Sequence, residues 1–373
     1  MNQKKENPAT TKKKTGLPIV SLILLGIALA SLIIVAIARN NVQFADMFNR
    51  TVSAAVRRAL AFVTNAIPFS LAEFLVLLAP IIVILLIAYA IKFKSKSWKS
   101  VLSYTVTLVA CASILFSIFV FGFGVGYYVP TLDEQLELDS VPVSAEELRD
   151  TALWLTDEIN ELTPDIYFAS DGASIMPYSL DEMSEKLMLA YDKLCQKQKF
   201  LQSFNSRIKP ALVSVIMSHA HTTGVYSFFT GEANLNVDFP DYTLPFTAAH
   251  EFAHQRGIAR ENEANFVAFL VCAESDDAYI RYSGYLNLYE YVVNALYSAS
   301  KDMYKDVRAQ LAVRATGEMK AYSVFYDQYR ESEISKVSTS INNAYLQANG
   351  TQEGTKSYGM VVDLAVAYHK TNK

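Results

Sequence analysis

Cysteine is scarce in this chain: three residues, at positions 111, 195 and 272, an odd count, with Cys111 inside an apolar run. That excludes a disulfide framework and a structural zinc site built on cysteine. A basic excess is also missing, since the formal net charge is -4 and the C-terminal two-thirds carries no lysine or arginine stripe. Phosphate binding needs such a stripe, so nucleic acid is excluded as a partner. Internal repeats are absent, and histidine is sparse, with five in 373 residues. What the chain has in excess is apolar residues, at 51%, above the usual share of a soluble protein. Nearly all of the surplus lies in the first 130 residues, which divides the chain into a membrane part and a soluble part.

Leu17 to Ala38 is an uncharged apolar run long enough to cross about 30 Å of hydrocarbon as a helix. Similar runs cover 71–91, with Glu73 near its start, and 101–128, edged by Trp98, Tyr127 and Tyr128 as interfacial aromatics. The sequence therefore predicts a basic tail over 1–16, a region with three transmembrane helices over 17–128, and a separate domain over 130–373. Lys4, Lys5, Lys12, Lys13 and Lys14 precede the first run, and Lys92, Lys94, Lys96 and Lys99 lie between the second and third. The positive-inside rule then puts the N-terminus in the cytoplasm and the C-terminal domain outside, with the bilayer as a partner; Arg39, Arg50, Arg57 and Arg58 in the first loop weaken the contrast without reversing it. Between the first two runs, Phe44, Phe48, Val52, Val56 and Leu60 recur at helical spacing among arginines, as in a helix lying on the membrane or one packed on the soluble domain.

After Pro130 the pattern becomes that of capped amphipathic helices, with Ser144/Glu147 and Ser179/Glu182 as capping boxes. The stretches 211–217, 225–229 and 234–239 are rich in β-branched and aromatic residues and read as a small sheet or ribbon. From Pro245 onward the chain reads as helix, with breaks near Gly257, Gly284 and 349–354. The expected class is a mainly α membrane protein whose second domain is α+β and mostly helical.

One segment carries chemistry. Pro245 suits a first helical turn, and uncharged residues surround His250-Glu251-Phe252-Ala253-His254. Residues four apart share a helical face, so both histidines can aim a ring nitrogen at one metal, with Glu251 beside them to take a proton from water. Gly257 permits a turn, after which a second helix from Glu261 brings a carboxylate, Glu261 or Glu263, back to the histidines. Asn265, one turn beyond Glu261, is placed to support a ligating histidine. Thr230, Gly231, Glu232, Ala233 and Asn234 precede this helix as a strand, and an edge strand beside such a site can pair with an extended peptide. His219 and His221 have ligand chemistry but stand outside the motif, and His369, Tyr282 and Tyr285 are candidates for stabilising a tetrahedral intermediate.

HExxH followed by Glu261-Asn262-Glu263-Ala264-Asn265 resembles the gluzincin metallopeptidases, in which the glutamate matching Glu261 binds zinc. Arg260 occupies the place where the metzincin pattern needs its third histidine. Thr230-Gly231-Glu232-Ala233-Asn234 together with His250 to Phe266 is similar to an uncharacterised bacterial membrane-anchored family, a domain of unknown function. These resemblances imply a zincin-like fold and Zn2+ held by His250, His254 and Glu261. They also imply hydrolysis of peptide bonds in a peptide or protein substrate at the outer face of a multi-pass bacterial membrane protein, with Glu251 as general base. The alternative class is a catalytically silent zinc-containing sensor or cell-envelope binding module.

Overall fold

The structure, a computed structural model, describes residues 19–94, 97–139, 143–349 and 360–373. The expected basic tail, the start of the first apolar run at Leu17, Lys96, and 350–354 of the expected C-terminal break lie outside the described residues.

Among the described residues, three helices are long and apolar enough to cross a membrane: α1 (Ile19–Asn40), α4 (Leu71–Tyr89, continuing as a wider coil to Lys94) and α5 (Trp98–Gly122). α2 (Val42–Phe48) and α3 (Ala54–Asn65) connect the first two. The C-terminal end of α1, the N-terminal end of α4 and the C-terminal end of α5 all meet the same helical domain. α1 packs along α5, whereas α4 is exposed along most of its length among the described residues and meets α5 near its C-terminal end, where the Tyr104 hydroxyl donates to Leu86 O at 2.9 Å.

α5 ends sooner than the expected 128. Its last turn reaches Gly122, and 124–128 form a tight turn inside the domain, where Tyr127 is buried and Tyr128 accepts a hydrogen bond from Arg39 at 3.1 Å. α2 and α3 pack on the domain. Arg57 on α3 is 1% exposed: its guanidinium donates to Asn49 Oδ1 and Gly122 O, both at 2.9 Å, and to Arg256 O at 3.3 Å. Burial lowers its pKa to about 10, which leaves it a cation among helix-terminal carbonyls.

The domain comprises α6 (Leu132–Leu136), α7 (Ala145–Leu162), α8 (Leu180–Lys197), α9 (Ser214–His219), α10 (Thr243–Gln255), α11 (Glu261–Ala273), α12 (Ala278–Ala299), α13 (Lys301–Arg308), α14 (Val313–Asp327), α15 (Glu333–Ala348) and α16 (Met360–Thr371). α12 is central, packed on α7, α10, α11 and α16. The capping box at Ser144/Glu147 closes in both directions; at Ser179 only the Glu182 N–H to serine hydroxyl half forms. Gly284 does not break α12 as expected. A Cβ there would fall 2.3 Å from Cys272 Cβ, so its smallness serves the close approach of α12 to α11.

The sheet has three strands in the order β1 (Ile208–Pro210), β3 (Glu232–Leu235), β2 (Gly224–Ser227), with β1 parallel and β2 antiparallel to β3. The stretch 211–217, expected as strand, is a turn leading into α9. Its start is fixed by Glu73 of α4, whose carboxylate accepts the N–H groups of Leu212 and Val213 at 2.9 and 2.7 Å. Two satisfied donors at a helix start outweigh the β preference of the branched side chains.

Candidate functional site

α10 is buried on nearly every side, with Ala248, Ala249, Phe252 and Ala253 all at 0% exposure. Pro245 lies in its first turn, where a missing N–H costs nothing. The helix stops at Gly257, whose φ of +95° is a left-handed conformation; Gly257 N–H reaches His254 O at 2.9 Å and Ile258 N–H reaches Ala253 O at 3.1 Å. The reversal brings Glu261, the first residue of α11, back over the histidines.

Glu261 Oε2 lies 3.2 Å from His250 Nε2 and 3.6 Å from His254 Nε2, and one ligand atom from each of the three residues fits within 4.8 Å. His254 Nδ1 is 2.7 Å from Ile258 O. A carbonyl only accepts, so Nδ1 carries the hydrogen, and the Nε2 of a neutral ring faces the carboxylate with a lone pair. Burial disfavours the His254 cation, but the Glu261 carboxylate outweighs it and lifts the pKa to about 9. Burial likewise opposes ionisation of Glu261, and the two histidines hold its carboxyl below the usual range. Three acceptor groups thus converge on one point that requires positive charge, from a proton on a ring or from a cation.

Glu251 is 4% exposed and takes the Tyr226 backbone N–H, while its Oε2 is buried with no hydrogen-bond partner. Burial raises its pKa, against the pull of His250 and His254. Asn265 lines the same cavity, its Nδ2 buried without a partner, as is His250 Nδ1. Glu263 points elsewhere: its carboxylate accepts the Leu132 N–H at 3.0 Å and pairs with Arg260 at 2.7 Å.

These groups lie in a cavity of about 1300 Å³, walled by α10, the β2 edge, α12 and α15. The stretch 230–234 does not form the expected wall. β3 is the middle strand, paired on both sides, and its Glu232 caps α4 by accepting the Leu71 and Ala72 N–H groups at 3.1 and 2.8 Å. The edge strand at the cavity is β2: Asn236 N–H bonds Thr223 O at 2.9 Å, so the alternation turns the backbone groups of Gly224 and Tyr226 away from β3.

The candidates for stabilising an intermediate are also displaced. His369 stacks on Trp154 at 4.8 Å, Tyr282 donates to Glu318 at 3.4 Å, and Tyr285 packs on Trp154 and Phe269. The tyrosines beside the cluster are Tyr127 and Tyr345, joined through their hydroxyls at 3.3 Å. Burial and the Glu261 carboxylate raise both pKa values, that of Tyr345 to about 12, so both remain donors at neutral pH. Phe123, one residue beyond α5, meets His254 edge-on at 5.8 Å. Sequence reasoning missed Phe123, Tyr127 and Tyr345: the first two resemble the aromatic end of a membrane helix, and Tyr345 carries no local signal. His221 reaches the cavity rim but is held by Tyr326 OH at 2.9 Å and Tyr329 O at 2.8 Å.

Fold and site together define a class: a helical domain with a His-His-Glu cluster at the base of a large cavity, built against three apolar helices of membrane-spanning length. The chain belongs to the family described as "Protein of unknown function (DUF3810)", whose model matches residues 48–366. No curated protein and no solved structure matches the chain.

Proposed function

We propose that this protein is a membrane-anchored, zinc-dependent metallopeptidase with a zincin-like domain, hydrolysing peptide bonds at the outer membrane face. The observation that carries the reading is the convergence of His250, His254 and Glu261 beside a buried, half-satisfied Glu251. The donor set fits a metal, because the Nδ1–H bond to Ile258 leaves His254 Nε2 as the acceptor and two imidazoles with one carboxylate suit zinc. Bound there, zinc would supply Lewis acidity that polarises a carbonyl and brings the pKa of water towards about 7.

Glu251 takes a proton from the attacking water as its oxygen bonds to the carbonyl carbon, then delivers that proton to the nitrogen as the C–N bond breaks. A raised pKa suits a group that both accepts and returns a proton. Tyr345, whose oxygen accepts the Tyr127 hydroxyl, keeps its own hydroxyl hydrogen beside Glu261 for the oxygen that gains charge. With the Tyr226 N–H held by Glu251, the Gly224 backbone groups and the Tyr226 carbonyl are the outward groups of β2 that offer an extended peptide a partner strand. α4 is apolar and exposed along most of its length, as suits a hydrocarbon surround, and the lysines between α4 and α5 favour the cytoplasm for that loop.

The test is elemental analysis of the full-length protein in detergent, with Glu261→Ala and Glu263→Ala alongside. About one zinc per chain is expected, lost in Glu261→Ala and kept in Glu263→Ala. A folded, zinc-exposed wild type without metal overturns the reading. A metal-containing protein whose Glu251→Gln variant keeps every phenotype, while loss of His254 prevents folding, replaces it with the binding-module reading.

A further inference from the structure

We propose that α9 is an interfacial anchor whose apolar face enters the bilayer boundary beside α4, holding the cavity mouth at the membrane surface so that the substrate is a polypeptide tethered to the same membrane. The anchor rests on reading α1, α4 and α5 as spans, and the substrate clause rests on the hydrolytic reading.

α9 is amphipathic in the inverted sense. Val215 and Ile216, neighbours on its outer face, are 54% and 57% exposed, and Leu212 in the turn just before the helix is 83% exposed. Its buried face is polar: Ser218 donates to Asp238 at 2.7 Å and accepts from Asn236 at 3.0 Å, and Ser214 accepts the Val237 N–H at 3.1 Å. A helix meeting water would turn these faces the other way.

Its level relative to α4 is fixed by Glu73, in the first turn of that helix, which holds the Leu212 and Val213 N–H groups. Around the same entry point Phe62, Val63 and Phe69 are 82%, 63% and 48% exposed. Scattered exposed apolar residues are ordinary, but two clusters continuous with the exposed flank of a span are not. Interfacial helices bury such a face to a depth of roughly 5–10 Å. The occupant is therefore lipid.

At its other end α9 hands the chain to Ala220, His221, Thr222 and Thr223, which line the cavity. Six residues of helix span about 9 Å. On the opposite side Phe123 and Tyr127, also lining the cavity, directly follow the end of α5 at Gly122. The cavity is thus bordered by chain that has just left a span, at Phe123 and Tyr127, and by chain that has just left α9, at Ala220 to Thr223. A substrate emerging from the bilayer beside α9 reaches the site within a few residues of its own membrane anchor.

The test uses full-length protein in phospholipid nanodiscs, in a background with Cys111 and Cys195 replaced by serine. A nitrobenzoxadiazole label at Leu212→Cys or Ile216→Cys is expected to be quenched by nitroxide lipids, and one at the 88% exposed Val313→Cys is not. Labels at 212 and 216 that behave like the one at 313 overturn the anchor. In a second arm, one randomised peptide library is offered lipid-anchored in the discs or free in solution. Co-localisation predicts cleavage of the anchored form at about a hundredfold advantage, lost in Leu212→Glu/Ile216→Glu with zinc content unchanged. Equal cleavage of both forms overturns the substrate clause and leaves hydrolysis standing. Cleavage of neither, with quenching intact, overturns hydrolysis and the substrate clause and leaves the anchor.

Discussion

Glu290 on α12 lines the cavity and accepts the Tyr242 hydroxyl at 2.9 Å. Burial pushes its pKa up to about 7, helped by Glu318 and opposed by the Tyr242 hydrogen bond and by Arg308. Tyr291 and Tyr322 pack around the same carboxyl. A carboxyl that ionises near 4.5 unfolded and about 7 folded keeps its proton longer in the folded state. Stability therefore falls as pH rises from 4.5 to 7, by about 3 kcal/mol in full and by under about 1 kcal/mol at pH 5. Water in the cavity screens the charge, so these figures are upper bounds. Glu290→Gln keeps an acceptor for Tyr242 and removes the ionisation. Its thermal midpoint should exceed that of wild type by roughly 5–10 °C at pH 8, and by less than about 3 °C at pH 5. Histidine titration is common to both proteins and cancels in the difference. Thermal scans of the full-length pair in one detergent at both pH values measure it. An equal difference at pH 5 and pH 8, or a less stable variant at pH 8, refutes the assignment.

Glu251→Gln should lower peptide turnover by about 10²–10⁴-fold with zinc stoichiometry unchanged, and undiminished turnover would remove Glu251 from the role of base. Gly257→Ala should cost about 1–3 kcal/mol from its φ of +95° alone, with more from a Cβ 2.4 Å from Arg57 Nη2. A lowered thermal midpoint is the readout, and an unshifted one counts against the strained turn. Residues 130–373 expressed alone lack Arg57, Phe123 and Tyr127, so size-exclusion and metal analysis should show aggregation or zinc-free protein. A monodisperse fragment with full zinc would show that the membrane helices are dispensable to the site.

The apolar helices were legible because length and hydropathy are local properties, and α10 because its histidines carry their own four-residue period. Gly257 was legible for the same reason, since its left-handed φ answers a local need. What the sequence hid depends on partners far along the chain. The start of α9 is set by a carboxylate 139 residues away, so branched residues that favour a strand form a turn and helix. Arg57 reads as the polar side of a surface helix, yet its acceptors lie at the ends of α5 and α10. The order β1-β3-β2 places Glu232 to Asn234 inside the sheet through a parallel pairing that no turn signal announces, with Thr230 and Gly231 in the turn before it. Tyr127 looks like an interfacial aromatic until α5 is seen to stop at Gly122.

Arg57 also bears on the order in which the molecule is made. It joins the end of α5 to the end of α10, chain segments that leave the ribosome more than a hundred residues apart. α3 and α5 are made before α10, so Arg57, Phe123 and Tyr127 are already in the chain when the two histidines emerge, and α10 completes its surroundings only by docking against them. The wall of the cavity is thereby shared between the apolar helices and the helical domain, so that misplacing the end of α5 would also leave the carbonyls at the end of α10 without their cation.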